Sequence, residues 1–171
     1  YPRIQVVRPF WKLSNLLKKT QIELYANLKV IEILDDFRLG IIAGAGNLPG
    51  QIAERFDPAG KSVFFIALEG VTDPSTLKNY DHKWIKLGEL QTAMNALLEA
   101  KVCKVVMAGP VKRPALSSLK LDKRASKMLL RGGMKIFGDD GLLTLLIDEI
   151  EKDGIDVIGI DHVLSNLLTK P

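Results

Sequence analysis

The chain has 171 residues, of which 47% are hydrophobic and 26% are charged; these values are typical of a folded domain with a sizeable core and exclude a disordered chain. Residues 1–38 carry seven Lys and Arg against four acidic residues and hold most of the formal net charge of +4. Charge therefore gives little support to nucleic-acid binding by the other residues, and we expect no nucleic-acid partner. We expect neither a membrane-spanning helix nor a signal peptide.

Residues 1–38 are predicted to form a helical extension ahead of the main domain. Six apolar residues recur at spacings near three, four or seven, which predicts an amphipathic helix over about residues 10–34. These residues are Phe10, Leu13, Leu17, Leu24, Leu28 and Ile31. Lysines among the polar positions are compatible with an anionic membrane surface. Packing of the helix on its own domain or on a partner chain is the simpler interpretation.

From Leu39 onward, short apolar runs alternate with helical patterns. The predicted strands are 39–43, 62–68, 83–87, 104–108 and 155–160, and the predicted helices are 48–56, 89–101, 121–131 and 139–153, with a short helix closing the chain. Such alternation implies right-handed crossovers and a parallel sheet. The expected fold is α/β, a Rossmann-like open, mostly parallel sheet with helices on both faces, covering residues 39–171.

The only cysteine of the sequence is Cys103, in the apolar run 102–108. A single cysteine cannot form a disulfide within the chain. We expect a buried structural thiol in a reducing compartment, which favours a cytoplasmic location.

The first predicted strand runs into a glycine loop that contains Gly44 and Gly46. Glycines let the backbone approach a phosphate, and the helix that follows offers free N–H groups and a positive dipole end. Pro49 replaces the third glycine of the dinucleotide fingerprint G-x-G-x-x-G. Glu69 ends the second strand, where dinucleotide enzymes keep the acid that binds ribose. An NAD(P)-binding oxidoreductase domain is therefore one alternative, and a tight turn without a ligand is another.

The loop after the fourth predicted strand contains Lys112 and Arg113. Ligands of open α/β sheets bind outside the carboxyl ends of the strands, so this loop should lie beside the glycine loop and both side chains could contact phosphate oxygens. Residues 112–135 contain eight Lys and Arg with one acid, and residues 137–161 contain eight acids with one Lys. Either the two blocks pair with each other, or the basic block faces an anionic lipid or nucleotide.

Asp139 and Asp140 stand at the start of the last long predicted helix. Carboxylates there can cap the helix, and a pair of them can also hold Mg²⁺ through water beside a diphosphate. His82 and His162 have no histidine or cysteine neighbour at metal-ligand spacing. We expect both histidines to be structural or exposed.

Five segments of the sequence match one family in order: Gly40–Pro49, 63–70 ending in Ala-Leu-Glu-Gly, 87–90, 106–114 and 138–140. Together they resemble the N-terminal domain of the LpxI-type UDP-2,3-diacylglucosamine pyrophosphatases. The resemblance covers about residues 39–168.

The resemblance implies a Mg²⁺-dependent hydrolase of lipid A biosynthesis in Gram-negative bacteria. Such enzymes split UDP-2,3-diacylglucosamine into UMP and 2,3-diacylglucosamine 1-phosphate at the cytoplasmic face of the inner membrane. Their substrate lies between two domains. Carried to this sequence, the resemblance implies that six residues bind substrate: Gly44, Gly46, Asn47, Leu48, Lys112 and Arg113. Asp139 and Asp140 are the candidates for metal binding.

The sequence departs from the family pattern at both ends, and at the first of them residues 1–38 have no recognised counterpart in the family. The family continues into a C-terminal domain that supplies its catalytic aspartate, whereas this sequence stops at Pro171, so we expect no catalytic residue in it and no activity by itself. The expected partners are the substrate, the missing domain or a second chain, the inner-membrane surface and a second copy in a homodimer. The alternatives are the oxidoreductase domain and a non-enzymatic membrane- or partner-binding module built on residues 1–38.

Overall fold

The computed structural model describes residues 38–112, 115–133, 140–161 and 163. The predicted extension helix and most of the predicted closing helix lie outside these residues, as do Arg113, Asp139 and His162.

The order of elements follows the predicted alternation. The elements are β1 (Arg38–Ala43), α1 (Leu48–Phe56), β2 (Val63–Leu68), a 3₁₀ turn (Pro74–Leu77), β3 (Asp81–Ile85), α2 (Leu90–Glu99), β4 (Val102–Ala108), a 3₁₀ turn (Leu116–Ser118), α3 (Lys123–Gly132), α4 (Gly141–Glu151) and β5 (Asp156–Ile158). The predicted third strand is displaced by two residues, because pairing with β2 begins at Asp81. Within the described ranges no helix is both long and apolar enough to cross a membrane.

The five strands form one parallel sheet in the order β3-β2-β1-β4-β5. This confirms the expected α/β, Rossmann-like architecture. The order reverses between β1 and β4, since the chain moves outward to β3 on one side and then returns to β4 on the other. Open α/β sheets bind their ligands at such a switch point, at the carboxyl edge of the sheet.

Helices cover both faces of the sheet, as predicted, and each face has its own apolar core. The core on the α1 side includes Ile41, Ile52 and Phe65, all at most 1% exposed. The core on the other side packs α2, α3 and α4 against the sheet and includes Met94 and Ile150. Strand β2 contributes to both cores, which explains its almost uninterrupted apolar sequence.

The expectation of a buried Cys103 is wrong, because its side chain is exposed. The pairing of β1 with β4 shifts between Arg38, opposite Val102, and Leu39, opposite Lys104. Cys103 is therefore the extra residue of a β-bulge, and a bulge leaves its extra residue outside the regular alternation of faces. Apolar neighbours in the sequence did not reveal this change of register.

Candidate functional site

The glycine loop lies at the switch point, directly after β1. The N–H of Gly44 donates to the carbonyl of Ala108 (2.7 Å), and the N–H of Ala45 donates to the carbonyl of Pro110 (2.9 Å). Two of the loop's N–H groups are thus used to join it to the loop after β4. The expectation that the two loops lie side by side is confirmed, and their contact is made by backbone.

Only glycine fits at the centre of this contact. A Cβ on Gly44 would stand 2.6 Å from the carbonyl carbon of Gly109 and 2.8 Å from the carbonyl oxygen of Pro110. Gly109 itself has a φ of +87°, a conformation that side-chain-bearing residues rarely adopt. The glycines at these two strand ends therefore allow two loops to approach each other, in addition to any approach by a ligand.

Thr72 joins the ends of β1 and β2 beside the glycine loop. Its hydroxyl donates to the carbonyl of Ala43 (2.6 Å) and accepts from the N–H of Leu68 (2.8 Å), and the residue is only 6% exposed. Buried polar groups of this kind are costly unless they are satisfied. Thr72 therefore positions the first residues of the loop, a role that no pattern in the sequence indicated.

The open side of the glycine loop offers backbone donors. Gly46 has a φ of +84° and nothing within 4 Å of a built Cβ, and both Asn47 and Leu48 are exposed. Four N–H groups here donate to no other described residue; they belong to Gly46, Asn47, Leu48 and Gly50. The side chain of Asn47 makes no capping bond, and the first turn of α1 contains no acid. The helix end therefore keeps its positive partial charge available to an anion.

Lys112 extends from the loop after β4, the β4 loop, and is exposed, with no ion pair to another described residue. The two loops also present apolar side chains, since Leu48 is 37% exposed and Val111 is 41% exposed. Glu69 lies exposed after the carboxyl end of β2. The edge of the sheet thus combines backbone donors, a cation and two apolar groups.

The basic and acidic blocks predicted from the sequence pair with each other, at least in part. Arg124 of α3 contacts Glu149 (3.0 Å) and Asp153 (2.7 Å), and Arg131 contacts Glu149 (2.6 Å). Burial opposes the ionisation of Glu149, but hydrogen bonds from Lys152 and Arg124 outweigh it and lower its pKa. These pairs fasten α3 to α4 and are not part of the glycine-loop edge.

Asp140 does not cap α4 with its side chain, contrary to the capping interpretation. Its backbone is in the helical region (φ −102°, ψ −5°) and its side chain makes no capping bond; a residue whose side chain caps a helix typically has extended backbone. The carbonyl of Asp140 instead accepts from the N–H and the hydroxyl of Thr144. The carboxylate is left exposed beside the start of the helix.

The described residues offer no complete set of protein ligands for a metal ion. They contain no group of three or more His, Cys, Asp or Glu side chains close enough to hold a metal ion. Asp140 offers one carboxylate, and protein sites for Mg²⁺ use one or two carboxylates completed by substrate phosphates, so Asp140 would need a bound diphosphate to complete a magnesium site.

Comparison with known proteins places these loops in a family. The family described as LpxI N-terminal domain matches residues 38–167, a range that contains all five strands and both loops of the edge. UDP-2,3-diacylglucosamine pyrophosphatase LpxI of Caulobacter vibrioides is 37% identical over 134 residues, which are 76% of this chain and 46% of that protein. The chain thus spans less than half the length of this relative. Because the match covers most of the chain and the entire described sheet, the chain belongs to the LpxI N-terminal domain family.

Proposed function

We propose that this chain is the substrate-binding part of a hydrolase that cleaves the diphosphate of UDP-2,3-diacylglucosamine in lipid A biosynthesis, giving UMP and 2,3-diacylglucosamine 1-phosphate. The observation that carries the proposal is the contact between the glycine loop and the β4 loop at the switch point, inside the region that matches the family. Residue roles at this edge follow from the chemistry of the two loops.

A diphosphate is an anion with several acceptor oxygens. The free N–H groups of Gly46, Asn47 and Leu48 can donate to such oxygens, in a place where the dipole of α1 favours negative charge. Lys112 adds a point charge from the facing loop, and Arg113, outside the described residues, is the next residue along it. Gly44 contributes by allowing the loops to touch.

The apolar groups of the edge suit the rest of the substrate. Leu48 and Val111 are exposed on the two loops that carry the proposed phosphate donors. Acyl chains favour such side chains because contact removes apolar surface from water. A site that binds a diphosphate joined to a lipid needs both kinds of group side by side.

The chemical step is assigned to a region beyond these residues. The Caulobacter relative is more than twice as long as its matched part, and the described residues contain no group of three or more metal-ligating side chains. The proposal includes a requirement for Mg²⁺ because the resembled family is Mg²⁺-dependent. The described residues alone do not supply all the ligands of that ion. The proposal places the reaction at the cytoplasmic face of the inner membrane for the same reason, the family resemblance.

The test is release of UMP from UDP-2,3-diacylglucosamine in the presence of Mg²⁺. It compares this chain with a chimera in which the chain is joined to the second half of the Caulobacter relative. We expect the chimera to release UMP and this chain alone to release none. Absence of activity from both proteins, with the relative active in the same assay, contradicts the proposal.

The role of the edge is tested in the same chimera with Lys112→Ala. Loss of one charged contact to phosphate should raise KM about tenfold and leave kcat nearly unchanged. Lys61→Ala is the matched control, because Lys61 is an exposed lysine before β2, at the opposite edge of the sheet.

Titration with NAD(H) separates this proposal from the oxidoreductase alternative. Pro49 lacks the N–H group that the fingerprint helix would offer at that position, so we expect no saturable binding. Saturable binding of NAD(H) that Glu69→Ala weakens would favour the alternative.

A further inference from the structure

Helix α3 divides its four cations between two faces. Arg124 and Arg131 turn toward α4, where they contact Glu149 and Asp153. Lys123 and Lys127 are exposed and form no ion pair with any residue that the structure describes. The acidic block of the sequence therefore neutralises the arginines of this helix and leaves its lysines facing solvent.

The two lysines share their face with an exposed leucine. At about 100° per residue, Lys123, Lys127 and Leu130 fall within roughly 60° of the helix circumference. Leu130 is 82% exposed, whereas Ala125 and Met128 on the opposite side are at most 7% exposed. We call Lys123, Lys127 and Leu130 the basic face of α3.

The basic face begins at the same edge of the sheet as the proposed substrate site. Asp122 caps α3 by accepting from the N–H of Ala125 (2.8 Å), and its other carboxylate oxygen accepts from the N–H of Gln91 (2.6 Å). Gln91 lies in the first turn of α2, which follows the carboxyl end of β3. One carboxylate thus fixes the start of α3 to the edge where the glycine loop lies.

We propose that the basic face of α3 docks the protein on an anionic lipid surface. Lysine ammonium groups are attracted to anionic headgroups, and the exposed leucine three residues after Lys127 can enter the boundary with the acyl chains. The inference rests on the proposed function, because a substrate that carries two acyl chains resides in a membrane. Docking through α3 brings the carboxyl edge of the sheet close to that membrane.

The leucine distinguishes a lipid surface from other polyanions. A nucleic acid or an acidic peptide would be attracted to Lys123 and Lys127 but would gain little from an aliphatic side chain on a convex helix face. An isolated exposed leucine is common on protein surfaces. Here it lies opposite the buried Ala125 and Met128 and three residues after Lys127, so one face offers an aliphatic group and two ammonium groups to the boundary between headgroups and acyl chains.

The experiment is co-sedimentation of the full chain with vesicles that contain no substrate. One set of vesicles contains phosphatidylethanolamine and phosphatidylglycerol, and the other contains phosphatidylcholine alone. We compare the unmodified chain with Lys123→Glu/Lys127→Glu and with Leu130→Ser. The control is Lys61→Glu/Lys78→Glu, which changes the net charge equally but alters exposed lysines near the α1-side core of the sheet.

Since each basic residue near an anionic surface contributes about fivefold to binding, the Lys123→Glu/Lys127→Glu variant should bind anionic vesicles at least about 25-fold more weakly. Leu130→Ser should weaken binding about fivefold, and the control should lose less than about threefold. Glu at position 123 suits the start of a helix, so we expect this variant to fold. Circular dichroism checks that it does.

Equal sedimentation of the Lys123→Glu/Lys127→Glu variant and the unmodified chain overturns the inference and assigns any binding to another region, such as residues 1–38. An equal loss in the control variant overturns it too, because net charge would then explain the effect. UMP release from detergent-dispersed substrate by the chimera tests the proposed function separately. The α3 variants should leave that rate unchanged, so failure of one proposal can be told from failure of the other.

Discussion

Gly44 and Gly46 are two residues apart and are required for different reasons. Gly44 is buried, and the backbone of the β4 loop occupies the space that a side chain would need. Gly46 is exposed with open space around it, but its positive φ disfavours any residue with a Cβ. The two glycines look alike in the sequence, but packing requires a glycine at position 44 and backbone conformation favours one at position 46.

Substitution separates the two constraints. Gly44→Ala should cost about 1–3 kcal/mol of unfolding free energy because two backbone segments must move, and Gly44→Asn should cost more. Gly46→Ala should cost about 1 kcal/mol, and Gly46→Asn should cost less because asparagine tolerates positive φ. Urea unfolding of the four variants measures these differences. If asparagine were better tolerated than alanine at position 44, the packing explanation would be wrong.

Thr72 and Cys103 show where local sequence is uninformative. Thr72 follows a turn and resembles any surface threonine, yet it is bonded to the ends of two strands. Cys103 stands in an apolar run, yet a bulge turns it outward. In both cases the deciding partner is distant in the sequence, at Ala43 for the threonine and in β1 for the cysteine.

At the scale of elements, the contact between α3 and α4 depends on one buried carboxylate. Glu149 is 5% exposed and meets Arg124, Arg131 and Lys152. Taking charges out of water is costly, so such a cluster specifies how two helices meet more than it stabilises them. Removal of the shared acid leaves Arg131 and Lys152 without an ion pair among the described residues and leaves Arg124 with Asp153 alone.

We therefore expect Glu149→Ala to lower the free energy of unfolding by about 2–4 kcal/mol. Glu151→Ala is the matched control, since Glu151 is an exposed acid of the same helix, and it should change stability by less than about 0.5 kcal/mol. Both values come from urea unfolding at neutral pH. Similar losses in the two variants would show that the cluster contributes no more than an ordinary surface acid.

At the scale of the whole molecule, ionisable groups limit stability at both ends of the pH range. Backbone N–H groups of Ser62 and Ala59 outweigh the burial of Asp57 and lower its pKa below the ordinary 3.8. The pKa of Glu149 also lies below its ordinary value of 4.5. Burial, with a contribution from the charge of Glu54, raises the pKa of Tyr80 above 10.0.

The sign of each effect follows from which state binds more protons. Below about pH 4.5 the unfolded chain takes up protons that folded Asp57 and Glu149 resist, so stability falls as the pH is lowered through their depressed pKa values. Above about pH 10 the folded state retains the Tyr80 proton more strongly, so stability falls as the pH rises. Between these limits, the three groups do not change the free energy of unfolding as the pH varies.

The measurement is the urea midpoint of unfolding as a function of pH. We expect a plateau from about pH 5 to 9 with a decline on each side. Glu149→Gln should make the decline of the midpoint at acid pH shallower, because one of the two contributing carboxylates is removed. An unchanged midpoint between about pH 5 and 3 would contradict the assignment of both carboxylates.

The sequence by itself determined the α/β class, the order of the elements, the bounds of most of them to within two or three residues, and the glycine loop as the first part of the site. These features depend on the period of apolar residues and on turn-forming residues, which act over a few positions of the chain.

The tertiary structure decided the features that join distant parts of the chain. The strand order brings Gly109 against Gly44, the register of β1 and β4 exposes Cys103, and the packing of α3 on α4 neutralises Arg124 but not Lys127. Each depends on contacts between residues far apart in the sequence, and composition and local periodicity do not specify which distant segments meet. For the same reason, the sequence predicts that Gly44 lets a phosphate approach, whereas the structure shows the backbone of the β4 loop packed against it.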